Sequence, residues 1–278
     1  MKHTVGSRKS RRSIRKEECG ISGLNALFRQ RIGMPENEKI TFAALDLVLE
    51  LTAKSIPFEN FSIIEQRASA ITEDNLVCKL LVNKEGGLCY ELNALLYFFL
   101  IDNSFHAVLT RGVVYNNDAQ AYLTIGRTHA TILLAHEDQT YLVDTGFGGN
   151  LPLTPVPLTG ETVTSRNGAF RARKAHSEHG DYVLEMKLKH KDNDWRIGYA
   201  FDSGKPVGDV AELNEIQTII AEHPDSPFNK HSLITRHTAQ GSVTLTDTSL
   251  TQWTDGAVAK EKIDGGRFKE LLKKHFSR

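Results

Sequence analysis

The sequence predicts a multi-domain α+β protein of three consecutive units. Apolar residues recur at helical spacing as far as about Leu100. From Ala107 the pattern changes to short strands rich in Val, Leu and Thr, and after residue 209 helix and strand signals mix. With 278 residues, 40% of them hydrophobic and 24% charged, the chain has material for a real core and is unlike a disordered or fibrous protein.

Each element follows from its residues. Ile21, Leu24, Leu27 and Phe28 share one helical stripe. Phe42, Leu45, Val48 and Leu49 share a second, with Thr41 as its N-cap and an end expected before Pro57. A third helix is expected from about Leu88 to Leu100, after Gly86 and Gly87. Strands follow at Ala107–Tyr115, His129–Ala135 and Thr140–Asp144, the last two joined by the polar turn His136-Glu137-Asp138-Gln139. Tyr182–Leu188 and Trp195–Phe201 read as strands, with turn residues Asp192 and Asn193 between them. Residues 209–223 read as helix, Ser242–Leu245 as strand and Gly266–Phe276 as a last amphipathic helix. There is no internal repeat.

Charge and cysteine usage bound the function. Lys and Arg together number 34, as do Asp and Glu, which argues against nucleic-acid or membrane-surface binding by the whole protein. No apolar run approaches the roughly 20 residues of a membrane span. The first 16 residues hold Lys2, Arg8, Lys9, Arg11, Arg12, Arg15 and Lys16 and no acid. A flexible, solvated tail over 1–18 is the plain reading, beside an RNA or membrane contact or a transit peptide. The three cysteines, Cys19, Cys78 and Cys89, have no framework spacing, which suits a reducing, cytoplasmic setting.

One constellation carries chemistry. Cys89 follows Glu85-Gly86-Gly87-Leu88 and opens an apolar helical run, so its thiol stands at a helix N-terminus. There the dipole favours thiolate and free N–H groups suit an oxyanion. The plain alternative, a small buried hydrophobe, fits Cys78 in Leu76-Val77-Cys78-Lys79-Leu80 better. A nucleophilic thiol needs a base, and the base a partner that orients it. His129 opens the first strand of the hairpin and Asp144 closes the second. If Ala135 faces Thr140, His129 and Asp144 lie diagonally on one face, roughly 7–8 Å apart. An odd-length turn would separate them to opposite faces. Singly, His129 reads as a surface residue and Asp144 as a turn former; together with Gly-Gly-x-Cys they read as a Cys-His-Asp site.

Three decoys are set aside. Asp144-Thr145-Gly146 resembles the aspartic-protease signature, but such a site needs two carboxylates and the other candidate, Asp247-Thr248-Ser249, lacks the glycine. His176 and His179 sit in a polar stretch with no cysteine, so a solvated loop is expected rather than a zinc site, and no metal is called for. The loop Gly146-Phe147-Gly148-Gly149-Asn150 lacks the Lys of a Walker loop, though its N–H groups suit a phosphate or pantetheine.

Ser55-Ile56-Pro57-Phe58-Glu59-Asn60, Gly86-Gly87-Leu88-Cys89-Tyr90-Glu91-Leu92-Asn93, Thr128-His129, Val143-Asp144-Thr145-Gly146-Phe147-Gly148-Gly149 and Ser226-Pro227-Phe228 occur in that order. As a set, from about Gly23 to the C-terminus, they resemble the arylamine N-acetyltransferases. The resemblance implies a helical bundle over 19–105 carrying the nucleophile, a β-barrel over 106–208 carrying His and Asp, and an α/β lid over 209–278, with a cysteine-protease-like site. It implies a Cys89-His129-Asp144 triad, Phe58, Phe147 and Phe228 around the acceptor, and Gly146, Gly148 and Gly149 beside acetyl-CoA as co-substrate. The family usually has Arg where this chain has Glu85. The expected reaction is ping-pong acetyl transfer to an arylamine, arylhydrazine or N-hydroxyarylamine, a step of xenobiotic metabolism. The rivals are a CoA-independent amide synthase, a Cys-His-Asp hydrolase or transglutaminase-like enzyme, and a small-molecule binding protein of the same fold.

Overall fold

The structure, a computed structural model, describes residues 23–276; the basic tail, Cys19 and Ile21 lie outside them. Helices dominate the first third. They are α1 (Leu24–Ile32), α2 (Leu45–Ser55) after a 3-10 turn at Phe42–Ala44, α3 (Phe61–Ile64), α4 (Glu73–Leu76) running into a π-helical turn at Val77–Val82, and α5 (Cys89–Asp102). The two-residue strand β1 (Phe58–Glu59) lies among them. Thr41 is extended and precedes the 3-10 turn, but its side chain makes no capping bond. The tighter turn satisfies the first amide through Ala44 N–H to Thr41 O instead.

A long antiparallel sheet follows. Its strands are β2 (His106–Asn116), β3 (Ala121–Tyr122), β4 (His129–His136), β5 (Gln139–Val143), β6 (Val156–Pro157), β7 (Val163–Ser165), β8 (Gly168–Ser177), β9 (Gly180–Leu188) and β10 (Arg196–Pro206). They run in the order β6-β5-β4-β2-β10-β9-β8-β7, with β3 on β2, and β6 returns beside β8 so that the sheet nearly closes into a barrel. The β4–β5 turn holds two residues rather than four, since His136 still pairs with Gln139. The even count leaves Ala135 opposite Thr140, the register on which the pairing of His129 with Asp144 depends.

The last third has α6 (Leu213–Glu222), four antiparallel strands β11 (Leu233–His237), β12 (Gly241–Thr246), β13 (Ser249–Thr254) and β14 (Ala257–Lys262), and α7 (Gly265–Phe276). In this second sheet β1 pairs with β11, Phe58 opposite Thr235, so the helical segment lends the lid an edge. The sequence analysis found one of these four strands. Exposed β14, with Lys260 and Lys262, buries no face and so lacks the alternation that marks a strand. Charged β8 hides its strand pattern similarly: Phe170 and Ala172 face inward while Arg173 and Lys174 face water.

Helix α5 is the hub. Tyr90, Leu92, Leu95, Leu96, Phe99 and Leu100 are all buried, so the helix is apolar all round, as an internal helix must be. It packs among Phe28, Val48 and Leu80 of the helices, Leu109, Ile132 and Leu134 of the sheet, and Leu213 and Ile216 of α6. Strand β4 is buried on both faces, Leu133 turning into the barrel core with Phe170, Leu184 and Phe201 while Ile132 and Leu134 face α5. Each such fully buried Leu or Phe contributes about 1.5–3 kcal/mol. A rigid hub of this kind holds the end of α5 against the end of the β4–β5 hairpin.

Candidate active site

Cys89 is the first residue of α5, after Leu88 in an extended conformation. Two close approaches set it there. A Cβ on Gly86 would lie 2.2 Å from the Pro57 carbonyl oxygen, so only glycine lets the chain pass beside residues 57–59. Glu59, buried, accepts from the Gly86 and Phe61 amides at 3.2 and 2.5 Å and clamps that crossing. A Cβ on Gly146 would meet the Cys89 Cα at 2.5 Å and the Asn93 amide at 2.7 Å, so glycine is what brings the loop after Asp144 against the thiol. Glu91, one turn in, accepts from the Leu88 N–H at 3.0 Å and pairs with Lys79 at 2.5 Å. Burial raises its carboxyl despite Lys79.

His129 and Asp144 are in contact: Nε2 lies 2.8 Å from Oδ2, both side chains buried. That bond uses Nε2 and leaves Nδ1 for the sulfur; the Cys89 side chain does interact with the imidazole. The thiol also donates to the Thr128 carbonyl at 3.4 Å. Burial works against the charged imidazole. The charge and hydrogen bond of Asp144, then Cys89, outweigh it and push the His129 pKa up to about 10. Burial likewise works against the Asp144 carboxylate, but His129, Asn93 and the Gly146 amide hold it below the usual range. The stable arrangement is therefore an imidazolium against a carboxylate, poised to pair with a thiolate.

Residues the sequence analysis did not single out complete the carboxylate's shell. Tyr199 of β10 donates to Asp144 Oδ2 at 2.7 Å; burial, then the Asp144 charge, keeps the phenol far from ionising. Asn93 donates to Asp144 Oδ1 at 2.9 Å and to the Ala130 carbonyl at 2.7 Å, and accepts from the Thr145 amide at 2.9 Å. The Gly146 amide adds a fourth donor at 2.6 Å. The signal for both side chains was a lone polar group in an apolar run, Asn93 among leucines and Tyr199 within Gly198-Tyr199-Ala200-Phe201, which must find partners once buried.

Cys89 and His129 open onto a cavity of about 360 Å³ lined also by Phe58, Phe147, Phe228, Gly146, Gly148 and Gly149. The size lies within the roughly 300–1,000 Å³ of small-molecule sites. The three aromatic residues expected at the acceptor thus come together, as do the three glycines, while Asp144 stands behind His129. Phe147 meets the imidazole edge-on at 5.2 Å, and Phe58 meets Phe228 at 5.6 Å. Asn60 ties the lid loop down, donating to the Phe228 and His231 carbonyls at 2.9 and 2.8 Å and accepting from the Leu233 amide at 2.8 Å.

The decoys lie elsewhere. Asp247 sits between β12 and β13 and pairs with His231 at 2.9 Å, so it shares no site with Asp144. His176 is exposed on β8, not in a loop, and His179 is in the turn after it. Among the described residues no group of three or more His, Cys, Asp or Glu is placed to hold a metal ion. No helix among them is long and apolar enough to cross a membrane. Cys78 is half-buried on the π-helical turn, and Glu85 pairs with Arg67 at 2.7 Å outside the cavity.

A family model described as N-acetyltransferase matches residues 41–277. An uncharacterised acetyltransferase of Bacillus subtilis is 40% identical over 248 residues, 89% of this chain and 95% of its own. The crystal structure of arylamine N-acetyltransferase C of Bacillus anthracis superposes with a TM-score of 0.87 at 37% identity, covering 93% of this chain and 99% of that one. An arylamine N-acetyltransferase of Bacillus cereus, described as having a Cys-His-Glu triad, does so with a TM-score of 0.85 at 38% identity, covering 91% and 97%. By its matched sequence and its fold, this chain belongs to the arylamine N-acetyltransferases, a family of acyltransferase enzymes.

Proposed function

We propose that this protein transfers an acetyl group from acetyl-CoA to arylamines, arylhydrazines or N-hydroxyarylamines through an acetyl-cysteine at Cys89. The observation that carries the reading is the contact series Asp144, His129, Cys89, opening onto an aromatic cavity in a chain of this family. Imidazolium and thiolate form by proton transfer from Cys89 to His129 Nδ1, with Asp144 holding the ring and its charge. The thiolate adds to the thioester carbonyl of acetyl-CoA, and backbone N–H groups at the start of α5 take the oxyanion. The bond to the CoA sulfur breaks, the His129 proton passes to the departing thiolate, and acetyl-Cys89 remains beside a neutral imidazole. The acceptor nitrogen then adds to the acetyl carbon while His129 removes its proton. Collapse expels the Cys89 thiolate and releases the amide.

Phe58, Phe147 and Phe228 suit a flat aromatic acceptor and exclude the water that would hydrolyse the intermediate. Gly146, Gly148 and Gly149 leave room for the pantetheine. The functional units are 19–105 for the nucleophile, 106–208 for base and carboxylate, and 209–278 for the lid over the acceptor. Free thiol chemistry and small-molecule substrates suit a cytoplasmic role in xenobiotic metabolism that needs neither nucleic acid nor membrane. The amide synthase, hydrolase and binding-protein readings gain no support from the relatives.

The test is intact-mass analysis after incubation with acetyl-CoA alone, beside Cys89→Ala. An acetyl adduct on the wild type, absent from the variant and discharged by an aromatic amine, is the expected result. A folded protein whose Cys89 alkylates but takes no acetyl group would overturn the reading.

A further inference from the structure

A second cavity, of about 210 Å³, lies between the β9–β10 loop and the hairpin tips of the second sheet. It is lined by Arg166, Asn167, Lys189, His190, Lys191, His237 and Trp253, with Asp255 as its one carboxylate. Its volume is below the roughly 300–1,000 Å³ of whole-ligand sites and suits a single ionic group. Three permanent cations face one acid. Asp192 acts on Lys191 as well but pairs with Arg196 at 3.1 Å, and Glu50 meets Arg166 Nε at 3.3 Å and is shared with Lys54.

The interior of this cavity carries unused polar capacity. His237 is 4% exposed, yet its Nε2 has no hydrogen-bond partner among the described residues. The ring is hydrogen-bonded to the backbone of Gly148, so Nε2 is the nitrogen left over. Arg166 donates through Nη1 to the Thr238 carbonyl at 2.5 Å, but its buried Nη2 likewise lacks a partner. Lys191, an exposed residue of the β9–β10 loop, reaches over the Trp253 ring, its Nζ 5.0 Å from the centroid. A buried guanidinium N–H and a buried imidazole nitrogen, both without partners, are costly unless a ligand completes them. Burial, then the Arg166 charge, holds the imidazole neutral, with a pKa of about 4.

We propose that this cavity is a binding site for a phosphate group, held by Arg166, Lys191 and His237 and distinct from the acetyl-transfer cavity. A tetrahedral oxyanion accepts from Arg166 Nη2 and Lys191 Nζ. Its remaining P–OH donates to His237 Nε2, or His237 takes up a proton and donates in turn; either arrangement leaves one proton between nitrogen and oxygen. The site is coupled to the acetyl-transfer cavity through the glycine loop. His237 holds Gly148, and Asn167 donates to the carbonyls of Gly149 and Leu151 at 3.2 and 2.9 Å. The phosphate belongs either to the coenzyme or to a separate phosphorylated ligand; both bring the same chemistry.

The test uses the full chain, inorganic phosphate as probe and a chloride control of equal ionic strength. Phosphate is expected to move the His237 ring-nitrogen NMR signals toward the imidazolium position and to give a saturable heat by calorimetry. Lys191→Gln and Arg166→Gln should each weaken it roughly tenfold or more. Because Arg166 also bridges to Glu50 and Thr238, Lys191→Gln, changed on a loop, carries the result if Arg166→Gln does not fold. The source is read from KM for acetyl-CoA against acetyl-3′-dephospho-CoA. A wild-type preference that Lys191→Gln abolishes at unchanged kcat assigns the site to the coenzyme. Equal KM values, with phosphate still binding under saturating CoA, assign it to a separate ligand. No heat and no His237 shift in folded wild type at tens of millimolar phosphate would overturn the proposal.

Discussion

Replacing Asp144 by Asn tests how the site sets the protonation of His129. The carboxylate receives four donors: His129 Nε2, the Tyr199 hydroxyl, Asn93 Nδ2 and the Gly146 amide, at 2.8, 2.7, 2.9 and 2.6 Å. A carboxamide can accept on only one side. Its oxygen is expected to keep Asn93 and Gly146, turning its NH₂ toward Tyr199 and His129. Two effects follow. First, the attraction of Asp144 that lifts His129 to about 10 is gone, and burial, the largest single cause, is opposed only by Cys89, which takes the ring back toward its ordinary 6.5. At pH 7.5 a group of pKa about 6.5 is only about one-tenth protonated, so the imidazolium partner of the thiolate falls about tenfold. Second, an NH₂ donating to Nε2 forces the proton onto Nδ1, the nitrogen that must take the Cys89 proton. A wrong tautomer of this kind costs on the order of 10⁴ in rate. Acetyl-Cys89 formation, followed by intact mass in single-turnover reactions with acetyl-CoA at pH 7.5, should therefore slow between about tenfold and about 10⁴-fold. Iodoacetamide alkylation of Cys89 at the same pH should slow in parallel. An Asp144→Asn protein that folds and acetylates within threefold of wild type would refute the reasoning.

Three further outcomes are expected. The raised His129 pKa stabilises the fold fully below pH 6.5 and loses that contribution as pH rises toward 10; depressed Asp144 contributes above its ordinary 3.8 and loses it as pH falls. Urea unfolding should therefore show wild type losing stability from pH 6 to pH 10 by more than Asp144→Asn does, the excess being at most about 5 kcal/mol because the partners share one interaction. Gly146→Ala drives a Cβ to 2.5 Å from the Cys89 backbone, and should abolish acetylation and lower stability by about 1–3 kcal/mol in thermal unfolding. Asn60→Ala releases the lid loop that carries Phe228, and should raise KM for the aromatic acceptor while single-turnover acetylation of Cys89 stays within a few-fold.

The residue order alone was enough to single out Cys89, His129 and Asp144, the proposed catalytic set, and the elements that bear them. Helical spacing through Leu100, the glycines before Cys89 and the hairpin from His129 to Asp144 are local patterns, and local patterns survive in a sequence because backbone geometry repeats every 3.6 or 2 residues. The hairpin register needed only an even turn, so the count of four residues was wrong in number and harmless in effect. Folding in space settled the rest. Tyr199 reaches Asp144 from 55 residues away, and Asn60 holds a loop 168 residues distant. The strand β1 leaves its helices to pair with β11. Exposed β14 and charged β8 gave no periodic signal, since neither needs two apolar faces. The cationic cavity around His237 gathers residues from four hairpins spread between Arg166 and Gly256. Such groupings depend on which buried polar atoms are left to be satisfied once the core has closed, a condition that exists only in three dimensions.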